Sequence, residues 1–267
     1  MKVIVVFGLA FVYVSASVHQ DQPEIYHHNE LQDISNVEII NGHNASPGQF
    51  PYQVRLFIKK SRKYFGCSGS LINHNWVLTA AHCTNGSDSV QVLLGGIESS
   101  DFRAKFLIKP KYIIIHEDWD DYYKLNDISL IRIPYIKYSE YIKPVNLPKI
   151  QRYYKTYVGF KAIATGWGDT SIASNSSPEI LQYGTVKIIN SKKCSDTFGN
   201  IKSSQMCTFA SKISICFGDS GGPLVLFPSK VQVGITSFVP GNCSSPNGFT
   251  RVTSFLKWIK RHTGLPL

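Results

Sequence analysis

The residues best suited to chemistry fall in one short run, Cys216-Phe217-Gly218-Asp219-Ser220-Gly221-Gly222-Pro223. A serine hydroxyl is a useful nucleophile only when a base takes its proton, and its attack on a carbonyl leaves an oxyanion that needs donors. Glycines around Ser220 let backbone N–H groups approach a small reacting centre without Cβ clashes. Gly218 and Ser220 can supply such donors. Asp219 has no partner in its own neighbourhood, and a buried carboxylate needs a cation or several donors. A group from elsewhere in the chain must therefore meet it. Taken alone, the run reads equally well as a glycine-rich turn between strands.

Two other positions complete a chemical set. His82 sits between small residues in Leu78-Thr79-Ala80-Ala81-His82-Cys83, tied by the adjacent cysteine. Asp127 heads the apolar stretch Ile128-Ser129-Leu130-Ile131, where burial would force it to be hydrogen-bonded. Either residue alone has an ordinary reading, a packed histidine or a turn aspartate. Together with Ser220 they make a nucleophile, a base and a group that orients the base.

The elements that must position these side chains are short strands. Tyr52–Ile58, Gly69–Ile72, Trp76–Thr79, Val90–Leu94, Phe102–Ile115, Ile128–Ile133, Phe160–Thr165, Leu181–Ile189, Pro223–Leu226, Gln232–Phe238 and Gly248–Val252 are rich in Val, Ile, Tyr and Phe and bounded by turn residues. Only Thr253–His262 has helical periodicity, with Gly264 as its stop. Many strands and one terminal helix predict an all-β barrel or sandwich architecture. The Pro144–Tyr154 stretch reads as a crossover between two halves.

The chain has 267 residues, of which 43% are hydrophobic, enough for a sizeable core. Residues 1–16 read as a signal peptide: Lys2, the apolar run Val3–Val14, then small residues suited to cleavage. The run is short for a membrane span. Secretion implies an oxidising compartment, so the six cysteines predict three disulfides, which sequence alone could connect in 15 ways. No Cys-x-x-Cys or comparable metal-ligand spacing occurs, and no metal or other cofactor is expected. Residues 17–38 carry five acids, no Lys or Arg, and little apolar periodicity. Without residues 1–38 the chain loses one basic and five acidic residues, and its formal net charge rises from +10 to +14. No nucleic-acid module accompanies this charge, which reads as a solvated surface.

These residues resemble the chymotrypsin-like serine peptidases, over essentially all of Ile39–Leu267, and most of all the secreted enzymes of insects and other arthropods. The matching motifs are Ile39-Ile40-Asn41-Gly42, Pro47-Gly48-Gln49-Phe50-Pro51-Tyr52-Gln53-Val54, Cys67-Ser68-Gly69-Ser70-Leu71-Ile72, Leu78–Cys83, Asn126–Leu130, Gly166-Trp167-Gly168, Gly218–Pro223 and Ser237-Phe238-Val239. The resemblance implies two six-stranded antiparallel β-barrels (about 39–148 and 149–267) with a C-terminal helix and the site between them. It implies His82 as general base and acid, Asp127 as its orienting partner, Ser220 as nucleophile, and the Gly218 and Ser220 N–H groups as oxyanion hole. Ser237 would bond Asp127 and begin the strand that pairs with substrate. From the 15 disulfide arrangements the resemblance selects Cys67–Cys83, Cys194–Cys207 and Cys216–Cys243. It implies a secreted monomer made as a zymogen, acting on protein or peptide substrates and subject to protein inhibitors, with no nucleic-acid or membrane partner. A catalytically silent homologue, the alternative, would be expected to lack a member of the triad.

In this family, cleavage before the first Ile frees an α-amino group that pairs with the residue matching Asp219. Here the new terminus would be Ile39, with residues 17–38 as the activation peptide. Most relatives have Arg or Lys before that bond; this chain has Glu38. Its activator therefore prefers acidic or nearby residues, or the trimming is stepwise. The resemblance places Ser214 at the floor of the primary pocket, where trypsin-like enzymes carry an acid, and Val239 and Asn247 on walls where open-pocketed relatives have Gly. Ser214 offers no counter-ion and so disfavours basic side chains, while Val239 and Asn247 narrow the pocket toward small or medium apolar ones, with aromatic side chains left open. The expected preference is aliphatic or aromatic rather than basic. A collagen-cleaving insect subgroup shares the Ser-Phe-Val wall. The family's calcium loop matches Gly95–Asp101, which holds only Glu98 and Asp101, too few oxygens for a hard cation. Among the Asn-x-Ser sequons, Asn85 and Asn175 are the expected glycosylation sites.

Overall fold

A computed structural model describes residues 42–98, 100–169, 178–211 and 213–267. The readings of residues 1–41, including the signal peptide, Glu38 and Ile39, and of Asn175 lie outside the described residues.

The first half of the chain forms an antiparallel sheet from β2 (Gln53–Lys60), β3 (Lys63–Asn73), β4 (Trp76–Thr79), β5 (Ser89–Leu94), β6 (Ala104–Ile108), β7 (Ile113–Ile115) and β8 (Ser129–Arg132), in the order β6-β5-β2-β3-β4-β8-β7. The strand predicted over Phe102–Ile115 is two strands, because Pro110 has no N–H to give a ladder and opens a single 3₁₀ turn, Pro110–Tyr112. That turn joins the two outermost strands of the sheet. Counting β6 and β7 as one bent strand, six strands wrap into a barrel-like layer joined by the covalent chain rather than by a last ladder.

Residues 133–160 contain no strand or helix and cross to the second half. There β9 (Lys161–Gly166), β10 (Gln182–Ile189), β11 (Gln205–Phe209), β12 (Pro223–Leu226), β13 (Gln232–Phe238) and β14 (Asn247–Arg251) pair in the order β10-β11-β14-β13-β12-β9. The β10–β9 ladder closes the ring. The short β1 (His43–Asn44) adds to β10. β10 shows the physical basis of its face selection: Gln182, Gly184, Val186 and Ile188 are buried and alternate with more exposed neighbours, the period-2 pattern of a strand with one face on a core.

Each half has its own apolar core, centred on Leu56, Ile58, Leu78 and Ile131 in one and on Val186, Met206, Leu224 and Phe249 in the other. Buried polar side chains bridge the halves. Thr165 Oγ1 donates to Gln53 Oε1 at 2.7 Å, and Ser70 Oγ to Gln232 Oε1 at 2.7 Å. The Arg55 guanidinium lies 5.0 Å from the Phe57 ring and 5.2 Å from the Trp167 ring, and burial lowers its pKa to about 10.

Among the described residues three α-helices complete the fold: α1 (Ala81–Thr84), α2 (Ser191–Phe198) and α3 (Leu256–Thr263). Neither α2 nor β11 was anticipated from the sequence, although α2 carries legible signals. The Asn190 side chain accepts the Lys193 N–H at 3.0 Å, and Gly199 ends the helix at φ +73°. Helix α3 joins the core of the opposite, first half through Leu256, Trp258 and Ile259. His116 stacks on Trp258 with centroids 5.3 Å apart, and Trp258 Nε1 donates to Glu117 at 2.8 Å. Trp258→Ala should therefore destabilise the whole chain by about 3 kcal/mol, read from urea unfolding. A change under about 1 kcal/mol would mean that α3 is not part of that core.

Candidate active site

Asp127 sits just ahead of β8 and is fully buried. Its Oδ1 accepts the His82 backbone N–H at 2.9 Å, and its Oδ2 lies 2.7 Å from His82 Nδ1 and 2.5 Å from Ser237 Oγ. The Thr250 hydroxyl donates to the Asp127 carbonyl at 2.8 Å. A carboxylate can only accept, so Nδ1 carries the proton and Nε2 of a neutral ring is left with its lone pair. The donors come from α1, β13 and β14, so an acid of the first half is held from both halves.

His82 is on the one-turn helix α1, directly after β4. The Cys67–Cys83 disulfide ties that turn to β3. Cys67, His82 and Cys83 come close enough to resemble a metal-ligand group, but both sulfurs are consumed in this bond. The other bridges are Cys194–Cys207, between α2 and β11, and Cys216–Cys243, which joins the Ser220 turn to the segment after β13.

The Ser220 turn is pressed against the segment that leads into His82. The Ser220 carbonyl accepts the Ser68 N–H at 2.7 Å, and the Gly221 N–H donates to Thr236 at 2.9 Å. A Cβ on Gly221, which has φ +80°, would fall 2.1 Å from Thr79 Oγ1 and 3.1 Å from the Ala80 nitrogen. Only glycine permits this approach, and it brings the turn within three residues of His82 along the chain. Gly218 has φ +96°. Among the described residues, neither the Gly218 nor the Ser220 N–H meets an acceptor.

Asp219 is fully buried, and its carboxylate accepts the Gly168 N–H at 2.7 Å and the Cys216 N–H at 2.9 Å. A Cβ on Gly166 or Gly168 would fall 2.1 or 2.3 Å from this carboxylate group. The Gly-Trp-Gly run is thus shaped by the acid it surrounds.

Ser214 and Asn247, 33 residues apart, are both buried and meet directly. The Asn247 amide donates to Ser214 Oγ at 3.0 Å and to the Ser244 carbonyl at 3.1 Å, and its oxygen lies 3.4 Å from the Ile215 nitrogen. The pair is neutral and largely saturated. Val239 packs against the second core. The Phe238 ring lies over Gly248, where a Cβ would sit 2.0 Å from it, and meets Phe198 edge-on at 4.9 Å. Asp101 Oδ1 accepts the Ile97 and Glu98 N–H groups, both at 2.9 Å, and so braces its own turn.

Contacts involving Thr250 and Gln205 could not be found by motif. Gln205 is buried on β11 and donates at 3.2 Å to the carbonyls of both Tyr123 and Lys124, in the loop that leads into Asp127. Only strand registration reveals these bonds.

Comparison with known proteins identifies the family. The Trypsin family matches residues 39–259. The chain is 37% identical to a collagenase of Hypoderma lineatum over 99% of both chains. It is 38% identical to serine protease 1 of Drosophila melanogaster, covering 88% of this chain and 89% of that one. Brachyurin of Leptuca pugilator is 35% identical, over 85% of this chain and 99% of the other. A solved collagenase structure superposes with a TM-score of 0.80 at 38% identity, covering 86% of this chain and all of that one. The chain belongs to the trypsin family, and it is a serine endopeptidase acting on protein substrates.

Gly168→Ala should lower stability by about 1–3 kcal/mol in urea unfolding, since its methyl group and the Asp219 carboxylate claim one space. An unchanged midpoint would show that the carboxylate does not occupy that cradle.

Proposed function

We propose that this chain is a secreted zymogen whose mature form cleaves peptide bonds after aliphatic or aromatic residues, through Ser220, His82 and Asp127. The observation that carries the proposal is the double contact of Asp127 with the His82 backbone and ring, which leaves Nε2 as a base. His82 takes the proton from Ser220 Oγ as that oxygen attacks the scissile carbonyl. The Gly218 and Ser220 N–H groups receive the oxyanion. Collapse expels the amine, which takes the proton from His82, and water repeats the sequence on the acyl-enzyme. Asp127→Asn should reduce kcat by about four orders of magnitude while leaving the fold intact, by the general behaviour of such triads, because the ring would be held in the wrong tautomer. Stopped-time peptide hydrolysis with circular dichroism tests both halves of this statement.

The neutral Ser214–Asn247 pair supports the pocket preference. An Arg or Lys side chain would lose its hydration there and gain no counter-ion. In a peptide library, aliphatic residues before the cleaved bond should exceed Arg at least about tenfold in kcat/KM, roughly 1.4 kcal/mol. A preference for Arg would sink this pocket. Collagen cleavage is a natural extension of the likeness to the Hypoderma lineatum collagenase.

Activation would follow cleavage between Glu38 and Ile39, with the new α-amino group joining the Asp219 carboxylate that the Gly168 and Cys216 N–H groups already hold. N-terminal sequencing of the active protein should begin Ile-Ile-Asn-Gly; another start would refute this route. Asn85 is exposed at the end of α1 and is a glycan site in this reading, as is Asn175.

A further inference from the structure

A groove of about 590 Å³ lies between the end of β10, the first turns of α2, the end of β11 and the crossover segment. That volume falls in the ~300–1,000 Å³ range of pockets that enclose ligands. None of its lining residues belongs to the site described above. Val158, Ile189, Phe209 and Pro246 give it apolar walls, and Val158 and Phe209 are 46% and 48% exposed. Lys187 and Lys193 line it as well. Both are exposed and neither forms an ion pair among the described residues, although Asp196 lies in the same groove. Helix α2 opens with Lys192 and Lys193 and has no acid in its first turn, whereas the positive end of a helix favours acids. Exposed apolar walls beside unpaired cations suit an acidic peptide with apolar side chains.

Strand register indicates which peptide. His43 faces Tyr183 and Asn44 faces Gln182, so going backwards from β1 leads along β10 towards Lys187. β9 lies on the opposite edge of β10. From Lys187 onward β11 takes the β1 edge, and Phe209 is the residue that faces Lys187. The path from Tyr183 to Lys187 is about 13 Å at ~3.3 Å per residue. The same number of residues counted back from His43 reaches Ile39. On this line the residues before Ile39 arrive at the groove. Residues 17–38 have the matching composition: five acids and no Lys or Arg. Four of the acids adjoin an apolar residue, in Glu24-Ile25, Glu30-Leu31, Asp33-Ile34 and Val37-Glu38.

We propose that this groove docks the acidic residues 17–38 and holds them against the body of the chain until the Glu38–Ile39 bond is cut. This rests on the activation reading above and adds a site to it. The apolar members of the pairs cover Val158, Ile189 and Phe209, and the acids meet Lys187 and Lys193. Glu38 in place of a base follows from this, since Arg or Lys there would face two lysines. Until the cut, residue 39 stays over the exposed face of β10, away from Asp219, which is fully buried.

The full chain carrying Ser220→Ala, digested with a Glu-specific endopeptidase, tests the proposal against a free peptide of residues 17–45. At about 50 mM salt, cutting at Glu38 should be at least about tenfold slower in the chain than in the peptide. The difference should shrink to below about threefold near 0.5 M, where exposed ion pairs are screened. The double variant Lys187→Gln, Lys193→Gln should be cut about tenfold faster than the unaltered chain at low salt, with its urea unfolding midpoint unchanged. Asp196→Asn, which removes a negative charge from the groove, should be cut more slowly. Equal cutting of the unaltered chain and the double variant would overturn the proposal. With p-benzoylphenylalanine at position 37, irradiation should cross-link that residue to the groove, at Ile189 or Phe209. Links to another surface overturn the proposal, and linked dimers would assign the groove to a second copy of the chain. Fluorophosphonate labelling of the Ser220 chain after the cut separates the two readings. Protection lost in the double variant supports the docking site even if the cut chain stays unlabelled, which would sink the activation reading alone. A chain that labels only after the cut but was never protected sinks the docking site alone.

Discussion

The site depends on a buried carboxylate. Asp127 has no exposure to water, and an unsatisfied charge in that position would cost several kcal/mol. The fold meets this cost with the His82 backbone N–H, the His82 ring and the Ser237 hydroxyl, while Thr250 bonds the Asp127 backbone carbonyl. Because these donors come from both halves, the orientation of the His82 ring is coupled to how the two sheets pack. The buried Gln53–Thr165 and Ser70–Gln232 bonds tie that packing to polar pairs with directional geometry, which an apolar seam would lack.

A second carboxylate organises the other side. Asp219 is wrapped by Gly166, Gly168 and the Cys216 N–H, and its neighbours Gly218 and Gly221 take backbone conformations that side chains resist. The glycines around Ser220 thus have different tasks. Gly221 lets the turn touch Thr79 and Ala80, and Gly218 sets the backbone whose Gly218 and Ser220 N–H groups meet no acceptor among the described residues. The Cys216–Cys243 bridge then joins this turn to the loop between β13 and β14.

Most of the strands were legible because alternation of apolar and polar residues is a local property, as in β10. Reading failed where the signal is not local. β11, Gln-Met-Cys-Thr-Phe, lacks alternation because four successive residues, Gln205 to Thr208, are buried on both faces of the strand. β6 and β7 were merged because Ile, Phe and Tyr propensity outweighed one proline. Helix α2 was passed over because its polar, cysteine-bearing text offers little apolar periodicity, although its asparagine cap and glycine stop were present.

The sequence by itself determined the chemical types and their order: a histidine beside a cysteine, an acid heading an apolar strand, a serine among glycines, and six cysteines in a chain of short strands. Residue identity limits what a side chain can donate, accept or release, and needs no coordinates. Tertiary structure alone decided the meetings. It put Ser214 against Asn247, hung the Tyr123–Lys124 loop from Gln205, and lined one groove with Val158, Lys193 and Phe209. Such contacts join residues far apart in the chain, and strand register and sheet packing, which local text does not encode, determine which of them come together.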